Sequence, residues 1–290
     1  MLQSFILKLF ILINGLGASS GIVYDKKQVY VVSDDKGYVY HYDLKRNKQR
    51  EIELATAFPA NEITKKTKPD FESLIIHQNT LYALGSGSKE NRNDLLILNL
   101  DTNQSKRVDI SNVYSSLRKK FNIEEKDFNI EGFAYYEGYT YLFNRGNGKN
   151  KLNAIFKFKD LPHEANLSIV TFSKIDLPVI NGNLTTFSDA IIVDNQIIFT
   201  ATIEENSTNQ KDGEVKESII GTIDLDSYET YNVNVKKYLV IAENKKIEGI
   251  TLRKSTGNYY HFLFCEDNDD DSKEAKIYKL KVSKDFQRVY

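Results

Sequence analysis

Runs of five to eight apolar or alternating residues recur along the whole chain, separated by clusters of Asp, Asn, Gly, Lys and Ser. Val, Ile, Tyr and Phe dominate the runs, and these residues suit a pleated, half-buried strand. The separators are residues that turn hairpins. One local pattern opens a new group of strands each time it occurs. An acidic or small polar residue precedes a small residue and an apolar run, as in Ser20-Gly21-Ile22, Glu72-Ser73-Leu74, Glu131-Gly132-Phe133, Asp189-Ala190-Ile191 and Glu248-Gly249-Ile250. The small residues stand 52, 59, 58 and 59 positions apart. A further 62, counted from Gly249 to Tyr290 and on from Met1 to Gly21, completes a circle of 290.

Each repeat reads as four strands. The first is GIVYD, QVYVVSD, YVYHYDL and QREIEL, and the fourth is AIIVD, QIIFTATI, SIIGTIDL and TYNVNV. The fifth runs out after GITLR, YYHFLFCE and KIYKLKV, and an N-terminal strand within residues 3–12 completes it. Four-stranded units of roughly this length, repeated, are the signature of propeller blades, and a blade shared by both termini removes the exposed edges. The expectation is an all-β chain: a single β-propeller domain over 1–290 with five four-stranded blades, the N-terminal strand closing the last. Six blades remain open if 55–70 or 111–129 hold strands. These stretches read instead as insertions, with a short amphipathic helix over 112–121 that turns Val113, Leu117 and Phe121 to one side.

The start of the chain has a second reading. An apolar run from Phe5 to Ile13 before Ala18-Ser19-Ser20 imitates a signal peptide, but no basic segment precedes it and Lys8 interrupts it. The strand reading points to the cytoplasm; a signal peptide over residues 1–18 would point to the periplasm or secretion. The run is too short to cross a bilayer.

Composition narrows the classes. With 39 Lys+Arg against 40 Asp+Glu the chain lacks the basic surplus that nucleic-acid binding needs. One Cys and four His leave no disulfide framework and little for a histidine-built metal centre. Cys265 stands beside Glu266 and Asp267, anions that raise a thiol's pKa and make it a poor nucleophile. There is no GxSxG elbow and no P-loop. No organic cofactor and no membrane partner are implied, and a monomer is expected.

In a propeller the innermost strand of each blade lines the axis, so Glu72, Glu131, Asp189 and Glu248 fall at equivalent places around it, with Ser20 in the fifth. Converging carboxylates repel one another and must protonate, hydrate or bind a cation. Ca²⁺ or Mg²⁺ would relieve the repulsion, since hard cations take oxygen ligands. The competing role is structural, each carboxylate capping backbone N–H groups of the next blade. The ends of the second strands place Asp34, Asp35, Ser86, Ser88, Asn144, Arg145, Glu204, Glu266 and Asp267 in a second ring. Lys66, Arg92, Asn144, Arg145 and Ser20 are the candidate contacts to a small anionic or polyhydroxy ligand, though Arg92 and Arg145 would also serve as internal counter-ions. For metal-assisted hydrolysis, Glu131 or Glu248 is the candidate base. A non-catalytic scaffold is the competing function.

The strings KPDFESL (68–74), LGSGS (84–88), NIEGF (129–133), FNRGNG (143–148), FSDA (187–190) and KIEGI (246–250) resemble an uncharacterised bacterial β-propeller family. That family is similar to phytase-like propellers and, more distantly, to gluconolactonase and strictosidine-synthase-like ones. The resemblance implies a divalent metal, commonly calcium, on acidic residues at the central mouth. The dense Asp, Glu, Lys and Arg cluster of phytase-like enzymes is not matched residue by residue, so phytase activity does not follow.

Overall fold

Two-residue turns build the repeating unit. Lys26-Lys27, Gln78-Asn79, Glu137-Gly138 and Asp194-Asn195 take positive φ at both positions, the type I′ geometry whose twist matches paired strands. Each of these turns joins the first two strands of a four-stranded antiparallel sheet. The computed structural model describes residues 7–54, 66–205, 214–226, 228, 233–235, 237–268 and 273–285.

The chain opens with β1 (Lys8–Asn14), which belongs to the last sheet. Blade 1 is β2 (Gly21–Asp25), β3 (Gln28–Val32), β4 (Tyr38–Asp43) and β5 (Lys48–Glu53). Blade 2 is β6 (Phe71–His77), β7 (Thr80–Gly85), β8 (Asp94–Asn99) and β9 (Ser105–Asp109). Helix α1 (Ser111–Phe121) follows, and then blade 3: β10 (Ile130–Tyr136), β11 (Tyr139–Asn144), β12 (Ala154–Lys159) and β13 (Val170–Asp176). A small hairpin, β14 (Val179–Ile180) with β15 (Asn183–Leu184), leads to blade 4, which is β16 (Thr186–Val193), β17 (Gln196–Glu205), β18 (Glu214–Asp224) and, past a short β19 (Val233–Asn234), β20 (Lys237–Glu243). Blade 5 is β21 (Lys246–Thr256), β22 (Tyr259–Asp267) and β23 (Glu274–Ser283), with β1 as its fourth strand. The innermost strands β2, β6, β10, β16 and β21 touch in sequence, and β21 returns to β2.

Five apolar clusters fill the five junctions. Phe71, Leu81 and Leu98 meet Val32 and Val39 between blades 1 and 2. Phe128, Phe133 and Phe156 fill the next junction, covered by Val113, Tyr114 and Leu117 of α1. Phe143, Phe187 and Phe199 stack edge to face between blades 3 and 4. Phe262 and Phe264 pack on Ile198 and Ile220 between blades 4 and 5, and Ile11, Ile13 and Ile277 pack on Val29 and Val31 between blades 5 and 1. The predicted helix is present, one residue longer at its start, and ends at Asn122 in the left-handed conformation. Of the other stretch that left six blades open, residues 55–65 lie outside the described residues.

One strand assignment is corrected. TYNVNV does not form the outer edge of blade 4; KYLVIAE does, because Leu239 and Ile241 turn together into the junction with blade 5. Val233–Asn234 instead pairs in parallel with Ile175–Asp176 and covers the edge of blade 3. Among the described residues no helix is long and apolar enough to cross a membrane.

The closing strand is present but later than the expected 3–12, of which residues 3–6 lie outside the described residues: β1 pairs antiparallel with β23 from Lys8–Lys279 to Asn14–Glu274, and Ile13 is wholly buried. Deleting residues 1–14 removes a strand and its two buried isoleucines. It is expected to give insoluble protein, or a melting temperature at least 10 °C lower; a truncated protein melting as the full chain does would refute closure through β1.

Candidate functional site

The innermost strands of blades 2 to 5 each carry a β-bulge near their start. Pairing jumps from Phe71 to Ser73, from Ile130 to Gly132, from Phe187 to Asp189 and from Ile247 to Gly249. The residues left unpaired are Glu72, Glu131, Ser188 and Glu248. A bulge bends the strand and re-aims the side chain it frees, and here three of the four meet. Glu72, Glu131 and Glu248 each offer a carboxylate oxygen, and these atoms lie within 4.8 Å of one another.

Asp189 is not equivalent to the three glutamates. The bulge of blade 4 falls on Ser188, so Asp189 occupies the small-residue position shared with Gly21, Ser73, Gly132 and Gly249. The hydroxyls confirm the register. Ser20 Oγ donates to the Phe71 carbonyl at 2.5 Å and Ser188 Oγ to the Ile247 carbonyl at 2.7 Å, each reaching the residue just before the next blade's glutamate. Asp189 Oδ2 accepts the Ile250 N–H at 3.0 Å, and Oδ1 accepts the Ser73 hydroxyl at 2.8 Å. Ser73 Oγ accepts the Phe133 N–H in turn. Blades 2 and 4 are not neighbours, so the Ser73–Asp189 bond crosses the axis one residue beyond the glutamates. The capping role holds for Asp189, and the Ser73–Asp189 bond closes the axis at that level, with the glutamates just before it.

Each buried cation near the glutamates is shared between carboxylates or between a carboxylate and a hydroxyl. Arg145 Nη1 lies 3.2 Å from Glu131 Oε1, its Nη2 bonds Glu204, and Nε reaches Thr186 Oγ1 at 3.4 Å. Lys246 Nζ stands between Glu248 (3.0 Å) and Asp267 (3.2 Å). Lys68 bonds Asp34 and Asp70, and Arg92 Nη1 reaches Asp70 Oδ2 at 2.7 Å and Ser88 Oγ at 2.8 Å. Asn129 Nδ2 adds a donor to Glu131 Oε1 at 2.6 Å, whereas Glu131 Oε2 is buried with no hydrogen-bond partner.

The electrostatics follow. Burial, then the neighbouring Glu131, Asp70 and Glu248 charges, holds the Glu72 carboxyl well above the usual glutamate range. Burial raises Glu131 against the opposing pull of Arg145 and Lys246. Burial raises Glu248 strongly against Lys246, with the Glu131 charge adding to it. Asp189 is raised by burial although three hydrogen bonds oppose this. For Lys246 burial would lower the pKa, but Glu248 and Asp267 outweigh it and hold the ammonium charged.

The remaining predicted contacts are divided. Arg145 and Arg92 join the cluster as counter-ions. Asn144 is engaged within the chain: its Nδ2 donates to the carbonyls of Asp127 and Leu152 and its Oδ1 accepts the Asn129 N–H, so it clasps the loop of residues 145–153. Lys66 is exposed, its carbonyl accepting from Asn91, and Lys68 reaches the carboxylates in its place. Lys246, Asp70 and Asn129 were missed. All three stand two residues before a bulge glutamate, a spacing that the repeat would have displayed. The Cys265 thiol is buried and its pKa is pushed up, first by burial, in keeping with an inert role.

The ring of blades and its axial acidic pit define a five-bladed β-propeller with a candidate cation centre. The chain belongs to a family of unknown function, DUF6929, whose model matches residues 15–282. No curated protein matches it in sequence. Among solved structures it is similar to the Malassezia sympodialis allergen Mala s 1, with a TM-score of 0.54, 15% identity, and coverage of 100% of this chain and 99% of that one. It is similar to a glutaminyl cyclase from Myxococcus xanthus at TM-score 0.52 and 11% identity, covering 96% and 98%. A GH43 β-1,3-galactosidase aligns at TM-score 0.53 and 11% identity, over 94% of this chain and 59% of that one. At these identities the likeness is one of fold.

Two expectations come from this geometry. Asp189→Ala strands the Ile250 N–H and the Ser73 hydroxyl, and should cost about 2–4 kcal/mol in denaturant unfolding, since each orphaned buried group costs about 1–3. The loss should be the same with calcium or with chelator; a calcium-dependent loss would make Asp189 a ligand. The raised carboxyls carry a pH signature. Between the ordinary glutamate range and their raised folded values, the folded chain binds protons that the unfolded chain has released, so stability falls as pH rises through that window. In chelator the unfolding midpoint should drop between pH 5 and pH 8, with a smaller drop in Glu72→Gln. Equal slopes in the two proteins would remove Glu72 from the cluster.

Proposed function

We propose that this propeller binds a divalent cation, Ca²⁺ or Mg²⁺, in the axial pit and uses it to hold a small oxygen-rich ligand at the mouth. The observation that carries the reading is the convergence of Glu72, Glu131 and Glu248, with the Glu131 Oε2 atom buried and unpartnered. Three carboxylates are a donor set for a hard cation, and Ca²⁺ takes 6–8 oxygens, which leaves positions for water and ligand. A cation so held polarises a bound oxygen and lowers the pKa of bound water. Glu248, whose carboxyl pKa burial pushes up, and Glu131 are the carboxylates for proton transfer in metal-assisted hydrolysis. Cleavage of residues 1–18 as a signal peptide would take β1 out of blade 5, which supports the strand reading of that segment over the signal-peptide one.

Calcium should raise the melting temperature relative to chelator, because a ligand at 100 times its Kd stabilises by about 2.7 kcal/mol. Glu72→Gln is the discriminating variant. In chelator it should melt at or above the wild-type temperature, since one of three repelling charges is gone. In calcium it should gain much less, since affinity follows the ligand charge count. No calcium or magnesium shift in the wild type at millimolar metal would leave the scaffold reading in its place.

A further inference from the structure

We infer that the ligand of this pit is a neutral polyhydroxy compound bound through vicinal hydroxyls, and that phosphate esters are disfavoured. The inference rests on the cation reading above and names the class of ligand that a loaded pit would take.

The first argument is charge. The carboxylates tied to the cluster are Glu72, Glu131 and Glu248, Glu204 and Asp267 on the far sides of Arg145 and Lys246, and Asp34 and Asp70 around Lys68 and Arg92. Seven carboxylates face four cations, so full ionisation leaves three negative charges. One divalent cation reduces that to a single negative charge, still repulsive to a phosphate dianion. No cation of the cluster stands in reserve. Arg145 and Lys246 are 3% and 6% exposed and each already bridges two carboxylates. An anionic ligand would have to draw one of them off its partners, and breaking a buried pair leaves an uncompensated charge.

The second argument is hydrogen-bond polarity, and it does not depend on the charge count. Asn147, two residues past Arg145, is 4% exposed and its Oδ1 has no partner. Thr202 pairs in register with Thr186, which receives Arg145 Nε, and its buried Oγ1 has no partner either. Asn147 Oδ1 and Glu131 Oε2 accept, while the Thr202 hydroxyl can accept or donate. Arg145, which reaches both Glu131 and Thr186, places all three toward the end of the propeller where the glutamates meet. Hydroxyl groups donate to such atoms; a phosphate dianion only accepts. The donor left without a partner there, Arg92 Nε, belongs to a guanidinium already spanning Asp70 and Ser88. A cation held by three glutamates with coordination positions open is chelated by adjacent hydroxyls, whose protons then point to the acceptors.

The test is calcium titration by calorimetry on the full chain, alone and with 20 mM D-ribose or 20 mM methyl phosphate, free calcium being corrected for each additive. A ligand that binds the loaded pit tightens calcium reciprocally. Ribose should tighten apparent calcium affinity at least threefold, and methyl phosphate should leave it unchanged or weaken it. Asn147→Ala should bind calcium alone as the wild type does and lose most of the ribose effect. Calcium binding that methyl phosphate tightens more than ribose, or that neither changes, overturns the ligand class while the cation centre stands. No calcium binding in the wild type sinks the cation centre, and this inference with it.

Discussion

Everything at the axis follows from how closely five inner strands approach one another. A Cβ on Gly21 would stand 3.2 Å from the Ser73 Cα, one on Gly132 would stand 3.1 Å from the Ala190 nitrogen, and one on Gly249 would stand 3.1 Å from the Ile22 nitrogen. Backbone approaches backbone closely at these three positions, which is why three blades carry glycine there, while Ser73 and Asp189 fit side chains that bond across the axis. Strands held that tightly cannot turn a large group inward by ordinary alternation. The bulge solves this by inserting one residue ahead of the tight contact and aiming it up the axis. Chain packing thus dictates where the glutamates can be, and their convergence is a by-product of ring geometry that the sequence has filled with charge.

That filling is costly on its own. Buried like charges are paired, hydrated, protonated or ligated, and the chain answers with Arg145 and Lys246 deep in the cluster and Lys68 and Arg92 nearer its rim. The compensation is partial. A propeller built only for stability would carry serines or apolar residues at all five equivalent positions, as blade 4 carries Ser188 at its bulge and blade 1 carries Ser20 just before β2, both donating to neighbouring carbonyls. Local departures from what stability favours concentrate where function resides, and three of five blades depart.

The architecture was legible because the repeat is a counting signal: the spacing of the small residues closes on itself, and Ile11 and Ile13 supply the apolar alternation that the last blade lacks. Blade 4 shows the limit. In TTFSDAI an acidic residue precedes a small one just as in the glutamate blades, and only pairing partners reveal that Ser188 is the bulge and Asp189 the cap. The motif fixes composition within one residue, while a bulge moves register by one. TYNVNV misled for a related reason, since its apolar residues serve the edge of the preceding blade. Lys246 pairs with Glu248 on its own strand and Lys68 with Asp70 two residues on, but their second partners, Asp267 and Asp34, lie on other segments, which sequence spacing does not report.

The two-ended fifth blade has a consequence for how the protein is made. β1 leaves the ribosome long before its partner β23, which lies at the other end of the propeller sequence. At about 5–20 residues per second, roughly 15–50 seconds separate them. Throughout that time a strand of Leu9, Phe10, Ile11, Leu12 and Ile13 has no sheet to join, and such a segment is a template for misassociation. Blades 1 to 4 are complete before it is needed. The last step in closing the ring is therefore the docking of β1 onto β23, and a cell that makes this propeller must shelter that one strand until then.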